Sequence, residues 1–459
     1  MASKEQIEEI VSKQREYFAT GKTIDVKFRK QKLKELYTAI KKREIDIERA
    51  IREDLGKSGF ESYMCEVGLT LSEIKYQMKH VRRWAAEQYV DADFANFNSS
   101  YHTIAEPYGE VLVMSPWNYP FLLTMEPLAG AIAAGNCVVV KPSAYSPETS
   151  KIMASIIEQV FDAGHVACVQ GGRDENTALL DQRWDYIFFT GSVAVGKLVM
   201  SKASENLTPV TLELGGKSPC VIAADANLKI AAGRLAFGKY LNLGQTCVAP
   251  DYVLVDEKVH DAFVAELKAA VEKMYGDALS NYNYGKIVNE KHFDRLMGLI
   301  DESKVVYGGK SNRETLQIEP TIMDGVTAED AVMGQEIFGP ICPIITYTTI
   351  AEAEAFIKER EKPLALYLFT NDKALQDHFQ RCVPFGGGCI NDTIVHLATS
   401  NMGFGGVGAS GMGSYHGLHS FRTFSHQKSI LVKHRFPDLQ MRNQPYSKLK
   451  ARLIKMFLG

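Results

Sequence analysis

The feature that most constrains the fold of this chain is an alternation of short, continuously apolar runs with helical stretches. A strand that is apolar at every position has no face suited to water, so each run predicts a strand buried on both sides. Such strands, separated by helices, form a parallel sheet with helices packed on both faces. The runs lie at 111–114, 137–140, 167–169 and 186–189.

A second α/β pattern follows Gly215 and Gly216, and the 459 residues of the chain exceed what one hydrophobic core usually serves, so at least two domains are expected. Ahead of both patterns, one helix is expected to begin near Ser3, and a second is expected to run from its cap Asp25 to Gly56. The second pattern has a helix near 226–240 and strands near 252–255, 341–347 and 364–369.

Cys247 and Glu213 are the candidate reactive residues, because each stands beside glycine where a regular element is expected to end. Glu213 lies in the alternating run 210–214, which turns its carboxylate away from the apolar face. A thiol supplies a soft nucleophile and a separate carboxylate supplies a base, so the pair suggests covalent catalysis in two steps, in a cleft between the domains. By environment alone, a small buried cysteine and a solvated carboxylate remain open interpretations.

A glycine-rich turn at 191–197 follows a predicted strand and opens a predicted helix, a geometry that presents backbone amides to a phosphate. The turn is close to a nucleoside-triphosphate loop, but Leu198 stands where a serine or threonine must hold magnesium, and the dinucleotide pattern G-x-G-x-x-G is not met either. The alternative interpretation, a glycine-rich turn that binds no ligand, stays open. Asn118 and Lys141 also follow predicted strands, and each has an ordinary interpretation, as a turn residue and as a surface lysine.

Composition and charge exclude several classes of protein. A net charge of −3 provides no basic field for nucleic acid, and no apolar run is long enough to span a bilayer. The first residues are polar, so no secretory signal is expected. The eight cysteines are scattered singly, without the paired spacing of a metal site. They are therefore expected to be reduced thiols in a cytoplasmic protein without a bound metal.

A set of motifs in a fixed order resembles the NAD(P)-dependent aldehyde dehydrogenases over nearly the whole chain. Within that superfamily, the short N-terminus and the runs 391–396 and 411–417 resemble the class 3 branch, which acts on fatty or aromatic aldehydes. The matching stretches are 116–120, 140–143, 189–192, 212–219, 244–247, 336–340 and 404–408.

The resemblance implies a Rossmann-like, parallel-sheet cofactor domain, a second α/β catalytic domain and a small β flap for oligomerisation. It also implies a homodimer that pairs through this flap, built from residues around 90–107 and 429–436. The expected domains are 1–88 with 108–213 for the cofactor, 214–412 for catalysis, and 89–107 with 413–459 for the flap and tail.

The resemblance also assigns roles to residues. Cys247 is expected to attack the aldehyde carbon, with its pKa lowered by local dipoles or by the bound cofactor. Asn118 and the Cys247 backbone N–H are expected to hold the oxyanion, and Glu213 is expected to activate the water that releases the acid. The expected cofactor ligands are Lys141, Trp117, Gly191, Ser192, Gly196, Glu336 and Phe338, and the expected residues of the aldehyde funnel are Tyr63, Tyr119, Thr246, Ile394 and His396.

Cofactor choice and substrate class follow from further comparison with the same family. Many NAD-selective relatives carry a glutamate three residues after the lysine, where this chain has Ala144, so use of both NAD and NADP is expected. The funnel residues favour a medium or long apolar aldehyde, although ordinary packing is an equal interpretation for Tyr63. The tail 446–459 has two open interpretations, a weak membrane-surface helix and a helix that packs on its own subunit.

Alternative functions from other classes stay open. A coenzyme-A-acylating dehydrogenase would share the fold and Cys247 but would not need Glu213 as a base. A P-loop NTPase is disfavoured by Leu198. A catalytically silent binding protein need not retain Cys247, Glu213 and Asn118 together.

Overall fold

The structure, a computed structural model, describes residues 2–91, 96, 98–436 and 440–458, except for the side chain of Phe457. It contains two mainly parallel sheets flanked by helices and a separate three-stranded antiparallel sheet, so the predicted α/β class is confirmed. The helices are α1 (Lys4–Ala19), α2 (Val26–Lys42), α3 (Glu44–Leu55), α4 (Gly59–Ser62), α5 (Gly68–Trp84), α6 (Leu122–Ala134), α7 (Pro147–Val160), α8 (Arg173–Leu180), α9 (Val193–Ser204), α10 (Leu228–Tyr240), α11 (His260–Tyr275), α12 (Glu290–Met297), α13 (Ile350–Lys358), α14 (Lys373–Cys382), α15 (Gly417–Thr423) and α16 (Lys448–Leu458). The strands are β1 (Gln88–Val90), β2 (Ser99–Pro107), β3 (Glu110–Met114), β4 (Cys137–Lys141), β5 (Val166–Cys168), β6 (Tyr186–Thr190), β7 (Val210–Glu213), β8 (Pro219–Ile222), β9 (Tyr252–Asp256), β10 (Val305–Tyr307), β11 (Ser311–Asn312), β12 (Gln317–Ile318), β13 (Thr321–Met323), β14 (Ile341–Tyr347), β15 (Ala365–Phe369), β16 (Gly387–Ile390), β17 (Gly411–Met412) and β18 (Ser425–Lys433).

The first sheet has the strand order β17-β7-β6-β3-β4-β5, with β17 antiparallel to β7 and the other pairs parallel. All residues of β3, β4 and β6 are buried, as their continuous apolar runs predicted. The carboxyl ends of β7, β6 and β3 are neighbours, since Glu213 lies opposite Thr190, and Phe189 lies opposite Met114. The polar turns that follow these strands therefore meet at one edge of the sheet.

The second sheet has the strand order β10-β13-β14-β9-β8-β15-β16, and all of its pairs are parallel except β10 with β13. Its helix α10 and its strands β9, β14 and β15 lie within a few residues of the predicted positions. Successive residues of β9, such as Val253 and Leu254, belong to different hydrophobic clusters. This sheet is therefore covered on both faces, as the second apolar pattern predicted.

The antiparallel sheet β1-β2-β18 is the predicted flap. Its longest pairing runs from Ser425 opposite Pro107 to Lys433 opposite Ser99, so β18 begins a few residues earlier than expected. Part of the predicted flap, 92–95 with residue 97, lies outside the described residues.

The tail forms helix α16, which contacts the short 3-10 helix Gln440–Arg442. Its apolar residues Leu449 and Leu458 are exposed. Leu453 and Ile454 on the same helix are half-buried, and both interpretations of the tail stay predictions. Within the described ranges, no helix combines the length and the apolar character needed to cross a membrane.

The structure differs from the sequence prediction near residue 43. The single helix expected from Asp25 to Gly56 is two helices, because Arg43 has non-helical dihedral angles (φ −112°, ψ 19°). Basic side chains end α2 and acidic side chains begin α3. Because cations favour a helix C-terminus and anions favour an N-terminus, this charge order stabilises a break at Arg43.

A second difference concerns residues 411–423, which the sequence analysis divided between the catalytic domain and the flap. Strand β17 pairs with β7 and so belongs to the first sheet. Helix α15 packs against α5 and α6, which cover the same sheet. This part of the chain therefore returns to the cofactor domain after the second sheet is complete.

Candidate active site

A cavity of about 390 Å³ lies beyond the carboxyl ends of β3, β6 and β7. Glu213 ends β7, and Cys247 follows the 3-10 helix Leu241–Gly244, which comes directly after α10. Both residues line the cavity. Glu213 comes from the first sheet, and Cys247 comes from the segment between β8 and β9 of the second sheet. Six of the other residues expected at the site also line it: Asn118, Trp117, Gly191, Ser192, Glu336 and Phe338.

The backbone just before Cys247 has an unusual conformation. Asn242 and Leu243 have φ angles of +51° and +52°, a region that residues other than glycine rarely adopt. The Asn242 side chain holds this turn, because its Nδ2 donates to the carbonyl oxygens of Asn118 at 2.9 Å and of Gln245 at 3.1 Å. The turn that carries Cys247 is thereby tied to the loop that carries Asn118.

The Asn118 loop is fixed by a buried ion pair. Lys57 is completely buried, and its Nζ donates to the Asn118 backbone carbonyl at 2.9 Å and to Glu66 Oε1 at 2.7 Å. The other oxygen of Glu66 accepts from the Phe121 N–H at 2.9 Å. The Asn118 Nδ2 donates to the Gln245 carbonyl at 3.0 Å. Because an amide nitrogen carries two N–H groups, one donor of Asn118 remains for a ligand.

Glu213 is only 3% exposed, and among the described residues neither of its carboxylate oxygens has a hydrogen-bond partner. Burial without a partner disfavours the charged form, so it raises the pKa of Glu213 well above its ordinary value. Gly405 lies against this carboxylate, since a Cβ atom on Gly405 would come within 3.2 Å of Glu213 Oε1. A carboxyl group with a raised pKa and free oxygens is suited to proton transfer near neutral pH.

The surroundings of the Cys247 thiol favour its protonated form. Burial raises the pKa of Cys247 to about 12, and the carboxyl groups of Glu336 and Glu213 add to the increase. The backbone N–H groups of Cys247 and Val248 lower it but are outweighed. The expectation that local dipoles lower this pKa is therefore wrong for the protein alone, because desolvation and two acidic neighbours dominate. A lower pKa beside a bound cofactor stays a prediction.

The predicted glycine-rich turn lies at the start of α9. Ser192 caps this helix, since its Oγ accepts from the Val195 N–H at 3.4 Å. The helix N-terminus at the cavity offers backbone N–H groups and a positive dipole end to a pyrophosphate. Gly196, expected as a cofactor ligand, instead faces Leu214, where a Cβ atom would lie 2.6 Å from Cδ2. Its role in the structure is to let α9 pack closely on the end of β7.

Trp117, Phe338 and Glu336 form another part of the wall. The Phe338 ring meets Trp117 edge-on at 5.4 Å between centroids. Burial and Asp251 raise the pKa of Glu336 to about 8. In the described chain, Glu336 Oε1 is a buried atom without a hydrogen-bond partner. Because buried polar atoms are normally paired, this oxygen is suited to a ligand hydroxyl. An unpaired carboxyl oxygen, an aromatic wall and a helix start together fit a dinucleotide.

Lys141 ends β4, beside β3, and is not among the described residues that line the cavity. Its Nζ donates to the Pro142 carbonyl at 2.8 Å, and burial lowers the pKa of Lys141 to about 8. The structure thus places Lys141 one strand farther along the same edge of the sheet than the cavity itself. Contact with a cofactor would require a ligand that extends beyond the cavity in this direction.

A second, mainly apolar cavity of about 210 Å³ meets the first at Cys247, which lines both. Three residues expected in the aldehyde funnel lie on its wall: Tyr119, Thr246 and Ile394. Tyr119 Oη and Thr246 Oγ1 are hydrogen-bonded at 2.6 Å, so the polar atoms of these two side chains satisfy each other. The cavity therefore presents apolar surface to a ligand.

Two residues expected in the funnel lie elsewhere. Tyr63 is 44% exposed and lines neither cavity. His396 contacts Phe404, with 5.9 Å between ring centroids, and burial lowers the pKa of His396 to about 4. The histidine on the cavity wall is His416, and His396 is not part of that wall. Sequence spacing does not show which of the two rings reaches the cavity.

Four further residues line the two cavities and were not predicted from the sequence. His292 and Arg295 lie on α12 and line the first cavity, where the His292 ring contacts Trp117 at 5.4 Å between centroids. The sequence of α12 is that of an ordinary amphipathic helix, so it carries no signal of this role. Glu126 and His416 line the second cavity. His416 belongs to the run 411–417, which was the available signal.

Comparison with known proteins agrees with this geometry. A sequence profile described as the aldehyde dehydrogenase family matches residues 1–430. A 4,4'-diaponeurosporen-aldehyde dehydrogenase of Staphylococcus aureus is 46% identical over 444 residues, which are 96% of each chain. A dimeric, NADP-preferring aldehyde dehydrogenase of Canis lupus familiaris is 46% identical over 429 residues, which are 93% of this chain and 94% of the relative. A solved structure described as the substrate-bound state of Staphylococcus aureus AldH has a TM-score of 0.97 at 45% identity, with both chains covered completely (100%).

Proposed function

This chain belongs to the aldehyde dehydrogenase family, whose members oxidise aldehydes with NAD or NADP. From that premise we propose that the protein oxidises a medium or long apolar, or an aromatic, aldehyde to the carboxylic acid, with Cys247 as the nucleophile and NAD or NADP as the oxidant. One observation supports this most directly. Cys247 lies where a cavity that fits a dinucleotide meets an apolar cavity that fits the body of an aldehyde. A nucleophile at this junction holds the reacting carbon of the aldehyde next to the cofactor.

In the first half of the reaction, Cys247 and Asn118 act together. Cys247 reacts as the thiolate, once its proton has passed to water. The sulfur then bonds to the aldehyde carbon, and the carbonyl oxygen takes on the negative charge. The free N–H of the Asn118 amide and the Cys247 backbone N–H donate to that oxygen. Such preorganised donors contribute roughly 3–4 kcal/mol each in other enzymes. Bound NAD or NADP would supply the hydride acceptor for this carbon, and Cys247 keeps the acyl group on its sulfur as a thioester.

In the second half, Glu213 acts as a general base. Its unpaired carboxylate takes a proton from a water molecule, whose oxygen bonds to the thioester carbon. The carbon–sulfur bond then breaks, the carboxylic acid leaves, and the thiol of Cys247 is restored. The free oxygens of Glu213 and its raised pKa support this role. They also favour hydrolysis over transfer of the acyl group to coenzyme A, which needs no base at this position.

The apolar cavity supports the substrate class. Its wall includes Leu122, Leu123 and Phe237, and the hydroxyl groups of Tyr119 and Thr246 are paired with each other. Apolar surface of this kind favours an apolar aldehyde over a small charged one. The name of the Staphylococcus aureus relative, a 4,4'-diaponeurosporen-aldehyde dehydrogenase, agrees with a large aldehyde.

Both nicotinamide cofactors are proposed to work. Ala144, three residues after Lys141, is exposed and carries no charge that would repel the 2′-phosphate of NADP. A relative named as NADP-preferring supports the same conclusion. Steady-state kinetics with each cofactor test it: an NADP efficiency below about one-thousandth of the NAD efficiency would contradict dual use.

We also propose a homodimer that forms through the flap. The first domain is proposed to comprise 1–88, 108–213 and 411–423, the second 214–410, and the flap and tail 89–107 and 424–459. A relative named as dimeric supports the dimer. On β18, Leu431 and Val432 are exposed, as residues of an unpartnered interface would be. Sedimentation velocity distinguishes a dimer from a monomer. The eight free thiols agree with a cytoplasmic location.

A direct assay tests the central proposal. The protein is mixed with NAD or NADP and with hexanal, decanal or benzaldehyde, and reduced cofactor is followed with and without coenzyme A. We expect reduction without coenzyme A, and none in the Cys247→Ala variant. If no aldehyde gives reduced cofactor, the dehydrogenase proposal fails. Strict dependence on coenzyme A would instead assign the chain to the acylating enzymes.

A further inference from the structure

Glu126 and His416 form a buried ionisable pair that the proposed mechanism does not use. His416 Nε2 lies 3.3 Å from Glu126 Oε2, and the two residues are only 5% and 6% exposed. Both line the apolar cavity that ends at Cys247. A buried ion pair loses much of its Coulomb energy to desolvation and is weak evidence of a stabilising role. Its place on the wall of a ligand cavity therefore points to function.

The position of His416 is imposed by its surroundings. The residue has a φ of +78°, which a side chain with a Cβ atom rarely adopts. The His416 ring stacks on Phe404 at 5.6 Å and meets Tyr415 at 4.2 Å between centroids. The backbone N–H of His416 donates to Ser420 Oγ at 2.8 Å. Unfavourable backbone conformations persist where several contacts enforce them, and they cluster at ligand sites.

A third cavity, of about 160 Å³, adjoins the pair. Glu126 and His416 line it as well as the apolar cavity, so the pair stands between the two. The walls differ in chemistry, because the third cavity carries hydroxyl and amide groups. These belong to Ser72, Tyr76, Thr399, Ser400 and Asn401. A ligand that extends from Cys247 into the apolar cavity thus meets a polar part of the wall at this pair.

We propose that Glu126 and His416 form a subsite for a hydroxyl group on the chain of an apolar aldehyde whose carbonyl carbon reaches Cys247. This inference rests on the proposed aldehyde oxidation. A hydroxyl group donates one hydrogen bond and accepts others, so it can donate to a Glu126 oxygen and accept from the His416 N–H. In the described chain, the polar contact of the Glu126 carboxyl is that with His416 Nε2 at 3.3 Å. Each carboxyl oxygen has two lone pairs, so acceptor sites are left for such a ligand.

Charge distinguishes a hydroxyl from other polar groups. Burial lowers the pKa of His416, but Glu126 and Glu73 outweigh it and raise the pKa above the ordinary value, which favours a protonated donor. Burial disfavours the charged form of Glu126 and raises its pKa, although His416 opposes this shift. A terminal carboxylate would lose its hydration in the same site, and a terminal ammonium would meet the cation of His416. A neutral group that both donates and accepts matches the pair without this cost.

The test compares ω-hydroxyalkanals with alkanals that have the same number of heavy atoms, over a series of chain lengths. The wild-type protein with saturating NAD is used, and the measured quantity is the ratio of kcat/KM for the two members of each pair. We expect the ratio to pass through a maximum of about tenfold at one chain length, since hydrogen bonds to charged groups add selectivity of this order. Alkanals that end in a carboxylate should show no such maximum.

Variants then assign the maximum to the pair. Glu126→Leu and His416→Phe should each reduce the ratio to about one, while Glu126→Gln, which keeps an acceptor, should retain part of it. Met64→Leu changes an apolar position of the same cavity and is the matched control, expected to affect both substrates of a pair equally. Thermal unfolding confirms that each variant is folded.

A wild-type ratio near one at every length would overturn the subsite, and this result does not depend on whether any variant folds. A maximum that survives in both Glu126→Leu and His416→Phe would also overturn it. Failure of the underlying function looks different, because the plain alkanals would then be unreactive too. If alkanals react and the ratio shows no maximum, aldehyde oxidation stands and only the hydroxyl subsite is rejected.

Discussion

Two buried glutamates near the candidate nucleophile, Glu66 and Glu213, differ in every polar contact. Glu66 forms an ion pair with Lys57 at 2.7 Å and accepts from the Phe121 N–H at 2.9 Å. Glu213, equally removed from water, has no hydrogen-bond partner on either oxygen in the described part of the chain. The paired carboxylate fixes the Asn118 loop, and the unpaired one stays available for chemistry. The carboxylate that positions other groups thus has its hydrogen-bond partners, and the carboxylate that is expected to react has none among the described residues.

The largest effect should come from removing the unpaired carboxylate. Glu213→Gln should lower steady-state turnover about a thousandfold, because an amide cannot take the proton from water. It should keep the burst of reduced cofactor, since attack by Cys247 does not need Glu213. Stopped-flow fluorescence with hexanal and NAD measures both. Loss of the burst together with turnover would mean that Glu213 serves the first half of the reaction.

Breaking the paired carboxylate should affect stability instead. Lys57→Met leaves Glu66 buried without its cation and should lower the free energy of unfolding by about 3–5 kcal/mol. The double variant Lys57→Met/Glu66→Met should recover most of this loss, because no charge is then left unpaired. Urea unfolding measures all three proteins. Lys304→Met, which breaks a partly exposed ion pair with Asp330, is the matched control and should change stability far less. If Lys304→Met lost as much free energy of unfolding as Lys57→Met, burial would not explain the effect.

The same reasoning predicts that Glu213→Gln stabilises the fold. Folding raises the pKa of Glu213, so its protonated form is favoured in the native state, and the cost of burying the charge appears as pH rises through the folded pKa. The free energy of unfolding of the variant should therefore be about 1–2 kcal/mol higher than that of the wild type at pH 8. The difference should vanish below the pKa of a free glutamate, near about pH 4. A difference that is constant with pH would indicate that packing, not charge, is responsible.

The smallest effect concerns the thiol. Burial, Glu336 and Glu213 raise the pKa of Cys247, so removing either charge should raise the thiolate fraction. We expect Glu336→Gln and Glu213→Gln to increase the rate of alkylation by iodoacetamide roughly three- to tenfold at pH 8. Cys247→Ser measures the background from the exposed Cys382. An unchanged rate in both variants would show that burial alone controls the thiol.

Much of the fold could be predicted because it depends on local pattern. The apolar runs identified the central strands of the first sheet, and the alternation at 210–214 correctly turned Glu213 away from Leu212 and Leu214, which belong to a hydrophobic cluster. The motif residues at strand ends could also be placed, since the ends of neighbouring parallel strands share one edge. The break at Arg43 was missed because helical periodicity continues across it, although the charge order at that point records it.

The parts that could not be predicted depend on contacts between distant segments. His396 and His416 both contact Phe404, and only His416 lines the apolar cavity, a difference that depends on how the two segments fold around that ring. Lys57 shows no sequence pattern that links it to Asn118, which it contacts across 61 residues of chain.

By itself, the sequence determined the class of the fold and the family, because these follow from short-range pattern and motif, and through the family resemblance it proposed Cys247 and Glu213 as the nucleophile and the base. Only the tertiary structure decided their protonation. The pKa of a thiol or a carboxyl group depends on the water it loses and on the charges around it, and for Cys247 those charges come from Glu213 and Glu336, far away in the chain. The same holds for the pair Glu126 and His416, which exists only where a buried helix meets a distant turn.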